Sequence, residues 1–286
     1  MKRRFGSLFR RYLPFTRSVM LGALQYRFRF LFWLLFEFLY IIIAYYLWKG
    51  VYEARALAEG ATFDLVTIGG YSFAAMILYV FLEKIVSSLT ALAAENFIDD
   101  DIHGGNIALR LIKPIDYRAQ LFAQALGYVT VSAIIFASAF AIGMLVMSRF
   151  VALPFIADVP SVLFGIVSIL FGGVIFFLTS FLFGMIIFFT LNSFGMWQLK
   201  GAIERLLAGG LIPIALFPDW LKGISAFLPF AQTRYVPITF FLGQYNGDLG
   251  GALGVLAIQF LWIIIMYAAS TLAWKGAVRR VVVQGG

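Results

Sequence analysis

The chain has 286 residues, of which 62% are apolar, 18% aromatic and only 13% charged, whereas a soluble domain carries about 25% charged residues. That balance excludes a soluble globular domain and marks an integral membrane protein. With no cysteine and a single histidine, disulfide and Cys-metal chemistry is closed and little remains for a Ser-His triad, while the net charge of +8 fits cations flanking membrane spans on the cytoplasmic side better than nucleic-acid binding.

Residues 1–29 hold eight cationic side chains and no acidic one. Phe5, Leu8, Phe9, Tyr12 and Leu13 recur at helical spacing opposite Arg3, Arg4, Arg10 and Arg11. This is the pattern of a helix lying in the membrane interface, with Pro14 ending or kinking it; a plain positive-inside anchor is the simpler alternative. The basic start is not a cleavable signal peptide, because the apolar run after it is long enough to span and lacks a small-residue cleavage site. Span 1 is predicted from Phe30 to Trp48, closing on Tyr45, Tyr46 and Trp48 as an aromatic belt. Glu37 lies inside it and must face protein or water, either as a hydrogen-bonding partner of a neighbouring helix or as a substrate contact. Residues 49–64 read as an outer loop. Span 2 reads from Leu65 to Leu82, its helix continuing past Glu83 and Lys84 toward Ala94.

A polar island follows, Ala93 to Pro114, holding the acidic triplet Asp99, Asp100 and Asp101, His103 and a Gly-Gly pair. Between apolar flanks it must lie in water or against another protein. Asn106 is placed to cap a short helix, Ile107 to Ile112, in which Ile107, Leu111 and Ile112 share a face, with Arg110 and Lys113 near the end that favours cations. Span 3 is predicted over Ala119–Met147 and span 4 over Ser161–Leu191, the latter with Gly165, Gly172, Gly173 and Gly184 as close-packing positions. Span 5, Phe194 to Phe217, is weaker. Lys200 and Glu204 are spaced to pair near the cytoplasmic mouth, and Gly209, Gly210 and Pro213 break the helix further out.

Residues 218–245 contain a run that hydropathy alone would make a span. Half of the chain's eight prolines lie between positions 213 and 237, however, and that density of breakers predicts a re-entrant hairpin of short helices. Span 6 then runs from Leu253 to Trp274, followed by Lys275, Arg279 and Arg280. Six spans with an inside N-terminus put the basic tail inside, leaving only Lys49, Arg55, Arg149, Lys222 and Arg234 of the 22 Lys and Arg outside, in keeping with the positive-inside rule.

No P-loop, H-E-x-x-H or G-x-S-x-G motif occurs. The acidic triplet fails calcium-loop spacing, since the twelfth position from Asp99 is Arg110, so no metal site is expected and the triplet reads as a solvated or partner-facing patch. A membrane-embedded enzyme acting on lipid-linked substrates is an alternative class, but the acids are scattered rather than convergent. A passive channel or carrier is another, but no repeated carbonyl-loop motif supports a filter.

Three stretches carry a resemblance: GGNIALRLIKPID (104–116), GLIPIALFPDWLKGISAFLPFAQTRYVPITFFLG (210–243), and QFLWIIIMYAASTLAWKGAVRRVVVQGG (259–286). They resemble the permeases of type-2 ABC exporters, more narrowly the small six-span ABC-2 family transporter proteins; the second stretch is the most specific, and Ile107 stands where that family's pattern has Leu. The resemblance implies an all-α membrane protein forming one permease domain over 1–286: six transmembrane helices, an N-terminal interfacial helix, a cytoplasmic coupling segment (93–114) and a re-entrant outer hairpin (218–245). It implies a multi-pass protein of the bacterial inner membrane with both termini cytoplasmic. The chain would not be an enzyme and would hold no cofactor. Separate P-loop ATPase subunits would bind ATP and Mg, a second permease subunit, identical or related, would pair with it, and membrane lipids, not nucleic acid, would surround it. An amphiphilic or hydrophobic cargo (a drug, lipid-linked sugar or peptide) would leave the cytoplasm.

In that scheme Ile107, Leu111 and Ile112 seat in the ATPase, with Arg110 and Asp99, Asp100 and Asp101 at the rim. Glu37, Lys200 and Glu204 are candidates for the substrate pathway, and Pro213, Pro218, Pro229, Arg234 and Pro237 for the outer gate. Leu111→Asp is then expected to release the ATPase, and Arg110→Ala to do much less.

Overall fold

A computed structural model describes residues 2–25, 27–112, 114–154, 157–190 and 193–284, without the side chains of 2–10, 27, 108 and 280–284. Its elements are α1 (Lys2–Gln25), α2 (Arg27–Glu59), β1 (Thr67–Ile68), β2 (Tyr71–Ser72), α3 (Phe73–Thr90), α4 (Ala94–His103), α5 (Ile107–Leu111), α6 (Tyr117–Met147), α7 (Val159–Thr190), α8 (Ser193–Leu207), α9 (Asp219–Phe227), α10 (Tyr235–Phe241) and α11 (Leu249–Gln284). Five of these helices, α2, α3, α6, α7 and α11, are long and apolar enough to cross a membrane. Most of the described residues are helical, with one minimal hairpin among them. α3 and α7 pack together at the centre; α6 and α2 lie against α3, while α11, α10 and α4 lie against α7. On α2 the outward residues Leu31, Leu35, Leu39 and Ile42 form an exposed apolar stripe. Such a stripe is a liability in water and ordinary against lipid tails.

Spans 3 and 4 fall where the apolar periodicity put them. Elsewhere the structure corrects the reading. α1 runs through Pro14 as one helix and docks on α6, where Thr16 Oγ1 donates to the Ala123 carbonyl at 2.8 Å and Gly127 leaves room for the Thr16 backbone. The predicted interfacial face is described only at Tyr12 and Leu13; Phe5, Leu8 and Phe9 lie outside the described side chains, as do Lys113 and Arg280.

α2 extends to Glu59 in place of an outer loop from residue 49. The i,i+4 pairs Lys49–Glu53 and Arg55–Glu59 support the extra turns, and Tyr52, fully buried, donates to the Tyr71 carbonyl at 2.6 Å. Span 2 begins at Phe73 rather than Leu65, because Thr67–Ser72 forms the β1–β2 hairpin. Its two-residue turn, Gly69–Gly70, has φ of +57° and +85°, which glycine adopts without strain. Nor does the helix of span 2 continue through Ala94: it stops at Thr90, and the acidic triplet lies on α4, a separate helix whose first N–H is capped from α7 by Ser180 Oγ at 2.9 Å.

Span 5 is not one continuous helix. α8 ends at Leu207, Gly209 turns the chain at φ +76°, and a 3-10 turn over Ile214–Leu216 follows. The segment nevertheless follows α3 from end to end. Lys200 meets Glu95 just past the α3 C-terminus, the Gly209 carbonyl accepts from Tyr79, and Leu216 touches Gly69 just before the α3 N-terminus. Residues 218–245 divide into α9 and α10. Pro218 stands at the N-cap of α9, and Pro237 falls in the first turn of α10, where its missing N–H has no intrahelical acceptor to lose.

The glycines of α7 explain how these short pieces seat. A Cβ at Gly172 would come within 2.8 Å of the Thr233 carbonyl oxygen and 3.1 Å of that of Gln232, whereas at Gly173 it would meet Leu92 Cδ1 at 3.4 Å and Thr90 Cα at 3.8 Å, both ordinary contacts. Gly172→Ala is therefore expected to cost about 1–3 kcal/mol through overpacking against backbone, and Gly173→Ala far less, measured as thermal unfolding of the detergent-solubilised protein. Equal melting of the two variants would show that the 232–233 segment does not rest on α7.

Candidate functional site

Two features stand out on the side where α3 ends. The first is the α4–α5 segment. Asp101, only 1% exposed, faces inward from α4. Its Oδ1 accepts from Arg110 Nε at 2.6 Å and its Oδ2 from the Tyr117 hydroxyl at 2.9 Å, so one carboxylate ties α4, α5 and the start of α6 together. Burial pushes the Asp101 carboxyl up, opposed by Arg110 and by the hydrogen bonds from Tyr117 and Arg110. Tyr117 is itself stacked on Trp274 of α11, ring centroids 4.9 Å apart.

This clasp corrects the placing of Asp101 and Arg110 at a rim. Asp100 is exposed, and Asp99 pairs with His103 one turn away at 2.7 Å. The apolar face of α5 also shifts. Ile107 packs inward against the cluster containing Ile98 and Tyr117, Leu111 is half-buried, and Leu109 and Ile112 are the outward residues, 62% and 78% exposed. Helical spacing placed Ile107 and Ile112 together; the five-residue helix ends before Ile112, which breaks that register.

The second feature is a chain of charge, buried except at its Glu37 end. Glu37 of α2 pairs with Lys84 of α3 at 3.0 Å, and Lys84 with Glu83 at 3.4 Å. Glu83 pairs with Arg234, at the foot of α10, at 3.4 Å, and Arg234 reaches Glu204 of α8 at 4.0 Å. Glu204 pairs with Lys200 at 3.3 Å, and Lys200 with Glu95 of α4 at 2.6 Å. Lys200, 3% exposed, also donates to Ser180 Oγ at 3.2 Å and stands 4.3 Å over the Phe176 ring.

Of the pathway candidates, then, Lys200 and Glu204 meet as their spacing predicted, and Glu37 has the helix-to-helix partner that was one of its two readings. Four carboxylates (Glu37, Glu83, Glu204, Glu95) face three cations (Lys84, Arg234, Lys200), and Glu95 Oε2 has no hydrogen-bond partner. Burial raises the Glu95 carboxyl's pKa and Lys200 opposes the rise. Glu83, Lys84 and Glu95 are members that sequence reasoning did not place in any site. A charged Glu-Lys pair inside an apolar helix was the available signal for the first two.

The gate candidates divide. Arg234 joins the charge chain, and Gln244, three residues past α10, donates to the Tyr71 hydroxyl at 3.2 Å beside the α3 N-terminus. α10 therefore runs along α3 from its middle to its start. Pro213, Pro218, Pro229 and Pro237 shape the turns around it. The Gln232 carbonyl at the foot of α10 accepts from Gln259 of α11 at 2.8 Å.

A cavity of about 580 Å³ opens beside Glu95, among α4, α6, α7 and α8, and a smaller one of about 200 Å³ adjoins it.

Residues 62–285 match the model of a family described as ABC-2 family transporter protein. No curated protein and no solved structure matches the chain.

Proposed function

The chain belongs to the ABC-2 transporter family, whose members are membrane components of transporters, and from that premise we propose that it is the permease subunit of an ATP-driven exporter. The broken segment 193–217, lying along α3 from end to end, counts as the sixth crossing, so both termini are cytoplasmic. α9 and α10 form a re-entrant hairpin entering from the outer face, with Arg234 at its inner tip. Cytoplasmic P-loop ATPase subunits, which bind ATP and Mg, engage the α4–α5 segment, and a second permease subunit completes the pathway in the bacterial inner membrane. The cargo is amphiphilic or hydrophobic.

The observation that carries this reading is the α4–α5 segment. A very short helix, too short to be stable alone, is held by a buried carboxylate and presents two exposed apolar side chains away from the bundle. Among the described residues the fold leaves Leu109 and Ile112 outward; a groove in another subunit would give their apolar character a use.

The experiment co-expresses tagged permease with a soluble P-loop ATPase from the same genome and measures co-purification. Each apolar side chain buried at the contact contributes about 1.5–3 kcal/mol, and each 1.4 kcal/mol is about tenfold in affinity. Leu109→Asp or Ile112→Asp is therefore expected to cut recovered ATPase about tenfold or more while the permease stays folded, since neither residue is in its core. Retention of the ATPase by both variants would overturn the placement of the coupling contact.

A further inference from the structure

The cavity beside Glu95 has a chemical character of its own. Its charged lining is Glu95, Asp99 and Asp100 against Arg29 alone, and five aromatic residues, Phe97, Tyr128, Phe183, Phe194 and Trp197, join it. At about 580 Å³ it has the size of a pocket for a drug-sized ligand. Glu95 is the buried member of the acidic set, 5% exposed. One carboxylate oxygen is held by Lys200 at 2.6 Å, while the other, Oε2, has no partner. The smaller cavity lies on the other side of the same wall, and the two share Ala93, Glu95, Asn96 and Trp197.

An unpartnered buried carboxylate oxygen is costly, and a positive charge brought against it offsets that cost. Water-sized ions are poorly served by aromatic walls. Organic cations are well served, because ring faces attract cationic groups and the rings bury apolar substituents. We propose that this cavity is a binding site for amphiphilic organic cations, with Glu95 as the charge partner and the ring faces of Trp197, Tyr128 and Phe97 enclosing the apolar body. The proposal deepens the permease reading and rests on it: it assigns the cargo a sign of charge and moves recognition from Glu37 to Glu95, whose Oε2 is without a partner. A cation against Glu95 shares its carboxylate with Lys200, so its arrival is felt along the charge chain through Glu204 and Arg234 toward Glu37.

The test uses the purified full-length chain in lipid nanodiscs, without ATPase. Radiolabelled tetraphenylphosphonium is compared with tetraphenylborate, an ion of the same shape and opposite charge, each with excess unlabelled ion to define the displaceable fraction. Saturable, displaceable binding of the cation alone is expected. Glu95→Gln, which leaves Lys200 its partner Glu204, is expected to weaken it at least tenfold, and Trp197→Ala several-fold. Trp197 is half exposed, so its loss leaves the fold intact and the test standing even where Glu95→Gln does not fold. Equal binding of the two ions, no displaceable binding of either, or unchanged affinity in both variants would overturn the proposal. Because no ATPase is present, a failure here with ATPase co-purification intact removes the cation site alone; the converse result removes the coupling contact alone.

Discussion

Lys200→Met is expected to be the most damaging single change in the charge chain. The substitution keeps the length of the side chain and removes its charge. Glu95 and Glu204 are then left buried without the cation that meets them at 2.6 and 3.3 Å. Breaking a buried ion pair by deleting one partner costs about 3–5 kcal/mol, chiefly because the survivor stays desolvated and uncompensated. Ser180 Oγ loses its bond from Lys200 as well, but it still caps α4 through the Ala94 N–H, so α4 is expected to stay in place while the α8 contact loosens. A large drop in the thermal midpoint of the solubilised protein is the readout. Adding Glu95→Gln to Lys200→Met should restore part of the loss, because the second change removes a stranded carboxylate; a double-mutant cycle measures that coupling. If Lys200→Met melts like the unaltered protein, or if the double variant is simply the sum of the singles, the charge chain is not a cooperative unit.

Arg110→Ala is expected to be nearly as disruptive as an acid placed on the outer face of α5, the reverse of what the sequence led us to expect. A solvated rim arginine contributes little, whereas Arg110 holds the Oδ1 of a carboxylate that is 1% exposed. Removing it leaves Asp101 with Tyr117 alone. Because the arginine itself keeps some access to water, the loss should fall below the full buried-pair figure, at about 2 kcal/mol. That cost falls on a helix of five residues that has little stability of its own. Hydrogen exchange over residues 104–112 should accelerate, and ATPase recovery should fall even though the outward Leu109 and Ile112 are untouched. Arg110→Lys should recover part of both effects, since a point charge replaces only some of the guanidinium's directed bond. Unchanged exchange in Arg110→Ala would mean the clasp does not hold α5.

The two predictions differ in how legible they were. Lys200 and Glu204 are four apart, so any helix through them brings them together. Glu95 lies 105 residues away from Lys200, and no local pattern connects them. Asp101 and Arg110 are close in sequence, but an acidic triplet beside a glycine pair has the look of a solvated turn. Only the fold turns one of the three carboxylates inward while leaving Asp100 in water.

What the sequence by itself determined was set by composition and local period. These were a helical membrane protein, spans read at 119–147 and 161–191, the break at Gly209, Gly210 and Pro213, the short helices among the prolines, and a polar segment between spans 2 and 3. The tertiary structure alone decided the rest. α2 continues eleven residues past Trp48, to Glu59, because the β1–β2 hairpin covers Tyr52. α4 starts where it does because Ser180 of α7 caps it. α5 and the residue after it turn Leu109 and Ile112 outward because Arg110 is held by Asp101. Helical period and breaker residues act over a few positions and can be read from a string, but which face is covered, and which charge meets a buried charge, depends on residues brought together from distant parts of the chain.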